Sequence, residues 1–149
     1  MIVYRISLAE YSGKLIASGN PARWNSKDTK VIYTAESKAL ACLENVVHRN
    51  SKGLQKNFMQ MNILVPDEIE MKEIKIGGLN RDWKEFMRMS YTQSIGDEWA
   101  RAGETAILKV PSAIVPGDSN FLLNPAHKDY KKIKLLKTLA FQFDSRIKM

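Results

Sequence analysis

The spacing of apolar and polar residues changes along this chain, and each change predicts an element. Ile2 to Ser7 is rich in β-formers and reads as a strand. Gly13 to Asn25 holds Gly13, Gly19, Asn20 and Pro21 and reads as a loop. Val31 to Thr34 is a short apolar strand. From Ser37 to Arg49, Leu40, Leu43 and Val47 recur at helical spacing, and Gly53 lies just past the end. Phe58 to Val65 reads as a strand stopped by Pro66, and Met71 to Ile76 as another closed by Gly77-Gly78. Asp82 to Met89 and Ser94 to Ala102 predict two short helices, the second stopped by Gly103. Ala106 to Val110 is a strand ended by Pro111, and Phe121 to Leu123 is a short one. Ile133 to Leu136 and Leu139 to Phe143 close the chain as two more. Many short strands with few helices predict an α+β fold rather than a repeating βαβ layout.

Composition narrows the setting. The 149 residues, 44% of them apolar, suit one domain over residues 1–149 with a core that needs no disulfide or metal. Cys42 is the only cysteine, so no internal disulfide forms, which fits a reducing compartment. The N-terminus lacks the pattern of a signal peptide. No stretch approaches the roughly 18 apolar residues of a membrane span. A cytoplasmic protein is expected. The net charge of +7 admits nucleic acid, a phosphate-rich small molecule or an acidic protein as partner. The run from Lys128 to Lys137 is read as the solvated face of an edge strand, where lysine discourages edge-to-edge pairing.

The usual cofactor signatures are missing. No Gly-x-Gly-x-x-Gly follows a strand, and there is no Walker A sequence. His48, His127 and Cys42 do not have the spacing of a zinc site. A Cys42–His48 nucleophile pair is disfavoured, because six residues apart on one helix the two point to different faces.

The segment from Arg23 to Glu44 carries the strongest chemical signal. Arg23 sits in a turn, Tyr33 lies in the short strand Val31-Ile32-Tyr33-Thr34, and Glu44 lies within the apolar part of the following helix. Charged residues seldom occupy an apolar stripe without a partner. Guanidinium offers paired, charge-assisted hydrogen bonds suited to phosphate. Three such side chains from three consecutive elements can converge on one anionic, aromatic ligand.

The run Gly19-Asn20-Pro21-Ala22-Arg23-Trp24-Asn25-Ser26, followed by Val31-Ile32-Tyr33-Thr34-Ala35-Glu36-Ser37, resembles the opening of the RES domain. Thr92-Gln93-Ser94-Ile95-Gly96-Asp97-Glu98-Trp99 resembles its middle. Val110-Pro111-Ser112-Ala113-Ile114-Val115-Pro116, Asn120-Phe121-Leu122-Leu123-Asn124-Pro125-Ala126-His127 and Phe141-Gln142-Phe143-Asp144 resemble its end. The motifs run in order along essentially the whole chain. One departure is Asn20-Pro21-Ala22, where the family usually has glycines; proline and alanine restrict that loop.

The resemblance implies an ADP-ribosyltransferase-like core of short, mostly antiparallel strands with flanking helices. It also implies the toxin of a toxin–antitoxin pair, with NAD as substrate and no metal. The family's arginine, glutamate and serine would be Arg23, Glu44 and Ser112. Glu44 would stabilise the cation formed when the nicotinamide–ribose bond breaks. Arg23, with Arg5, would anchor the diphosphate, Tyr33 would pack the nicotinamide end, and Ser112 would hydrogen-bond nicotinamide or ribose. The partner implied is an Xre-type helix-turn-helix antitoxin, with hetero-oligomers or further copies of the chain open. Direct nucleic-acid and membrane binding are not expected. Hydrolysis or phosphorolysis of NAD is the first expectation and protein ADP-ribosylation the alternative. A basic nucleic-acid-binding module without chemistry stands as a third reading.

Overall fold

The computed structural model describes residues 1–148. Its strands are β1 (Ile2–Leu8), β2 (Ile32–Ala35), β3 (Phe58–Leu64), β4 (Met71–Glu73), β5 (Ile107–Pro111), β6 (Ser119–Leu123) and β7 (Lys134–Phe141). Its α-helices are α1 (Lys38–His48) and α2 (Met89–Ala102). All seven strands join one sheet in the order β4-β5-β6-β2-β1-β3-β7. Every pairing is antiparallel except β4 with β5. The α+β architecture expected from the sequence is the one observed.

Period-two alternation sorts the strand residues onto two faces. Val3, Ile32, Met61, Ile63, Ile107 and Leu123 pack together on one. On the other, Ile6 and Ala35 meet Leu40 and Ala41 of α1. Beside them on that face, Leu108, Val110 and Leu122 meet Trp24, Trp83 and Trp99. The two helices therefore cover the same face, and the loop before β2 packs against α2 through Trp24.

The centre of the sheet is loosely joined. β1 and β2 are paired at a single register position, Tyr4 with Ala35. Next to that pair, Arg5 Nη1 donates to the Tyr33 carbonyl at 2.8 Å. A side chain satisfies a strand carbonyl there that a longer ladder would have satisfied by itself.

Helix ends follow local chemistry. Ser37 Oγ accepts from Leu40 N at 3.1 Å and caps α1. Gly103, with φ 64°, takes the left-handed conformation that closes α2.

Several sequence expectations need correction. Of the two predicted helices, the one over 82–89 is instead a run of turns with a 3₁₀ turn at Phe86–Arg88, and the one over 94–102 begins earlier, as α2 from Met89. Glu85 is extended (ψ 144°), and Trp83 is buried against Trp24, so the chain there bends instead of coiling. Ser94 is tolerated inside α2 because its Oγ donates to Tyr91 O at 2.7 Å. The strand expected over Met71–Ile76 stops at Glu73, and Ile76–Gly78 is a 3₁₀ turn. The two expected closing strands are one, β7. A bulge pairs Asn62 with Lys137 and Ile63 with Leu135, which breaks the alternation and hides the continuity. β7 is an edge strand as expected, but Lys128–Lys132 forms a 3₁₀ helix before it. On α1, Leu43 and Val47 are exposed, and the inward face is Leu40, Ala41, Glu44 and Asn45.

Candidate active site

The loop before β2 is held by a dense set of polar contacts. Asn25 is buried, and its Nδ2 donates to the carbonyls of Asn20, Ser26 and Thr29 at 2.9, 3.2 and 3.0 Å. α2 grips the loop from its side. Thr92 Oγ1 donates to Arg23 O at 2.6 Å, and Gln93 Nε2 to Ala22 O at 2.9 Å. Asp97 accepts from both Ser26 N and Ser26 Oγ, at 2.9 and 2.5 Å. Desolvation works to raise the Asp97 carboxyl, but hydrogen bonds from Ser26 and Thr29 hold it below its ordinary value. The Arg23 loop is thus a fixed ledge despite its turn-rich composition.

On that ledge Arg23 is half-buried, and its Nη1 donates to Trp83 O at 3.3 Å. Burial lowers its pKa, while Tyr33 and Glu44 act in the opposite direction. Arg23 and Glu44 also act on Tyr33, and Arg23 on Glu44, so the three lie within electrostatic reach of one another. The loop, β2 and α1 thus bring these three side chains into one neighbourhood.

The Tyr33 hydroxyl is engaged within the protein. The hydroxyl accepts from Trp24 N at 3.0 Å and donates to Asn25 Oδ1 at 2.5 Å. It is spent on bracing the Arg23 loop. Burial pushes its pKa far up, so it stays a neutral donor. What remains for a ligand is the ring.

Glu44 reaches out from the inward face of α1 and keeps 32% of its side chain exposed. Its Oε1 accepts from Asn120 Nδ2 at 3.1 Å, and its Oε2 lies 3.9 Å from His48 Nε2. Burial raises the Glu44 pKa, and Asn120, His48 and Arg23 pull against it. A carboxylate kept partly dry beside an arginine can stabilise positive charge or accept a proton.

Arg5 and Ser112, the two other expected residues, are each engaged with backbone groups. Alternation along β1 puts Arg5 on the Val3 face, away from Tyr4 and Ile6, and its half-buried guanidinium donates to the Tyr33 carbonyl. Burial lowers its pKa. Among the described residues neither Arg5 nor Arg23 forms a salt bridge. Ser112 is buried at the end of β5, where its Oγ accepts from Ile114 N and Val115 N at 3.0 Å each. It closes a turn and makes no hydrogen bond to Arg23, Tyr33 or Glu44.

Asn120 is the residue the sequence reading left outside the set. Flanked by turn-like residues, it gives no sign of facing an acid 76 positions away. Two grooves of about 440 and 530 Å³ lie elsewhere, around Ala100, Arg101, Asn124 and Ala126. Neither is lined by a Tyr, Trp or Phe, and the first offers only the His127 imidazole as a ring. The chemistry of the Arg23–Tyr33–Glu44 group outweighs their size.

Comparison with known proteins agrees with the motif order. The RES domain model matches residues 2–144. A protein of Sphingobium sp. named "Prs ADP-ribosylating toxin" is 42% identical over 127 residues, covering 84% of this chain and 79% of that one. A "Toxin Res" of Photorhabdus laumondii is 34% identical over 155 residues, covering 99% and 97%. Among solved structures, a chain of the M. tuberculosis MbcT-MbcA toxin-antitoxin complex superposes with a TM-score of 0.75 at 18% identity. The match covers 95% of this chain and 84% of that one, a likeness of fold.

Proposed function

Because the chain belongs to the RES domain family, we propose that it is the toxin of a toxin–antitoxin pair and consumes NAD by cleaving the nicotinamide–ribose bond. The observation that carries this reading is the Glu44 carboxylate, partly dry and hydrogen-bonded to Asn120, within electrostatic reach of Arg23 and Tyr33. Breaking a glycosidic bond leaves positive charge on the sugar ring, and a nearby carboxylate stabilises it. Nicotinamide is cationic in NAD and departs neutral, so its departure needs no general acid. Arg23 would hold the diphosphate through its planar fork. Arg5, a half-buried cation with no salt bridge among the described residues, would add attraction for the same anion from β1. The Tyr33 ring would pack against the nicotinamide end, and Ser112 would act from the turn after β5.

Water or inorganic phosphate would then capture the ribose, giving hydrolysis or phosphorolysis. A second reading, transfer of ADP-ribose to a protein side chain, is favoured by one observation: the 42%-identical relative is named as an ADP-ribosylating toxin. An Xre-type helix-turn-helix antitoxin would be the partner, supported by the toxin–antitoxin complex among the structural neighbours. Its site of action would be the cytoplasm, where NAD is plentiful. Among the described residues no helix is long and apolar enough to cross a membrane.

Incubating purified protein with NAD, with and without phosphate and with a bacterial protein extract, separates the acceptors. Free nicotinamide in every mixture is expected. ADP-ribose marks hydrolysis, a phosphorylated ADP-ribose marks phosphorolysis, and labelled protein marks transfer. NAD left intact in all three by folded protein would overturn the reading.

A further inference from the structure

Asn120 lies on β6, in register with Ala35 of β2 on one side and Val110 of β5 on the other. It is buried, and its Nδ2 makes two bonds, to Thr34 O at 3.2 Å and to Glu44 Oε1 at 3.1 Å. Both partners are acceptors, so the chemistry itself requires the amide nitrogen, with its two hydrogens, to face them. One hydrogen is spent on the sheet backbone and the other on the carboxylate.

We propose that Asn120 is a positioning residue for NAD cleavage: it ties the Glu44 carboxylate to the backbone of β2 and so fixes where the ribose cation meets it. The proposal rests on Glu44 acting as the carboxylate of that reaction. A glutamate projecting from a helix has several rotamers and loses them only to a firm partner. His48 is no such partner, since it is 73% exposed and 3.9 Å away. Asn120 is firm because central strand pairings hold its backbone and the Thr34 carbonyl holds its side chain. β2 also carries Tyr33, so one strand sets the ring, and through Asn120 the carboxylate, at a constant separation. A shift of about 1 Å in such a group costs on the order of a hundredfold in rate.

The bond also bears on ionisation. Burial drives the Glu44 pKa up, and the hydrogen bond from Asn120 is foremost among the influences opposing it. The other charged or titratable groups acting there are His48 on α1, Arg23 on the loop and Tyr33 on β2. None of these is altered by a change at position 120. Removing the donor therefore moves the acid limb of the pH–rate profile to higher pH, which a purely structural asparagine would not do.

The test compares pH–rate profiles of NAD consumption for wild type, Asn120→Asp and Asn120→Ala, with Glu44→Gln alongside and thermal melts for each. Asn120→Asp keeps the shape, removes the donor and sets a second acid against Glu44. The expected result is a kcat lower by about 10–100-fold, the usual loss when a supporting partner of a reacting group is removed. KM for NAD stays near the wild-type value, and the acid limb moves up in both variants, further in Asn120→Asp. Should Asn120→Ala fail to fold, Asn120→Ser carries the same measurements. Wild-type kcat and an unmoved limb in folded variants, with Glu44→Gln inactive, would overturn the positioning role alone. A raised KM with unchanged kcat would also overturn it, by making Asn120 a ligand contact. A fully active Glu44→Gln would bring down the site reading and this proposal together.

Discussion

Gly96 of α2 lies so close to Trp24 that a Cβ at that position would sit 1.7 Å from the Trp24 carbonyl oxygen and 2.7 Å from its carbon. The neighbour is backbone, so it cannot swing aside. This contact joins α2 to the loop carrying Arg23, and it lets Thr92, Gln93 and Asp97 reach that loop with their hydrogen bonds.

Gly96→Ala is therefore expected to push the loop off α2. Overpacking of this kind costs about 1–3 kcal/mol, and here the clash is with main chain. The thermal midpoint should fall, and turnover of NAD should fall further than the midpoint alone explains, because Arg23 moves with Trp24. A variant with wild-type melting and turnover would show that the helix and loop separate without cost.

Glu44→Gln should keep the fold and lose most of the activity. Losing a positioned acid/base group costs about 10²–10⁴-fold, and turnover near wild type would remove Glu44 from the reaction. Stability should respond in the opposite direction. The folded-state pKa of Glu44 is raised by burial, so its contribution is fully present below the unfolded-state pKa and is lost as pH rises through the folded-state value. At neutral pH the charged carboxylate works against the fold, and glutamine removes that cost. The melting temperature of Glu44→Gln should equal or exceed wild type at neutral pH, and the difference should shrink on acidification.

Arg23→Ala should weaken NAD binding more than Arg23→Lys, with both impaired. Lysine restores the charge but not the planar fork, and it cannot reproduce the bond to Trp83 O together with a two-point grip on phosphate. Titration calorimetry with NAD gives the order of affinities. Equal, unimpaired binding by both variants would take Arg23 out of the site.

Tyr33→Phe keeps the ring and deletes the hydroxyl. It leaves Trp24 N–H and Asn25 Oδ1 without the partner they share. An orphaned buried polar group costs about 1–3 kcal/mol. The expected outcome is a lower thermal midpoint, with a loss of turnover that arises from the loosened Arg23 loop. If the hydroxyl touched the ligand instead, the midpoint would hold while KM rose, so the pair of measurements decides its role.

Much of this protein was legible along the chain. Apolar runs announced β1, β2, β3 and β5, with Pro66 and Pro111 ending the last two, and Gly103 marked the end of α2. Glu44 was recognisable as an acid on a helix that must bury one side, and Arg23 as a cation in a turn. These are local signals, because backbone preference and periodicity depend on residues a few positions apart. Tertiary structure decided the rest. Leu43 and Val47 share helical spacing with Leu40, yet only packing against Ile6 and Ala35 determines that Leu40 and Ala41 face inward. The bulge opposite Asn62 and Ile63 shifts the phase of β7, so no period-two reading could join its halves. The Tyr33 hydroxyl braces the Arg23 loop only because Asn25, eight residues earlier, folds back to accept from it. Asn120 met Glu44 because β6 lies beside β2 in the sheet. Strand order is set by closing long loops and burying whole faces, which no short window of residues encodes.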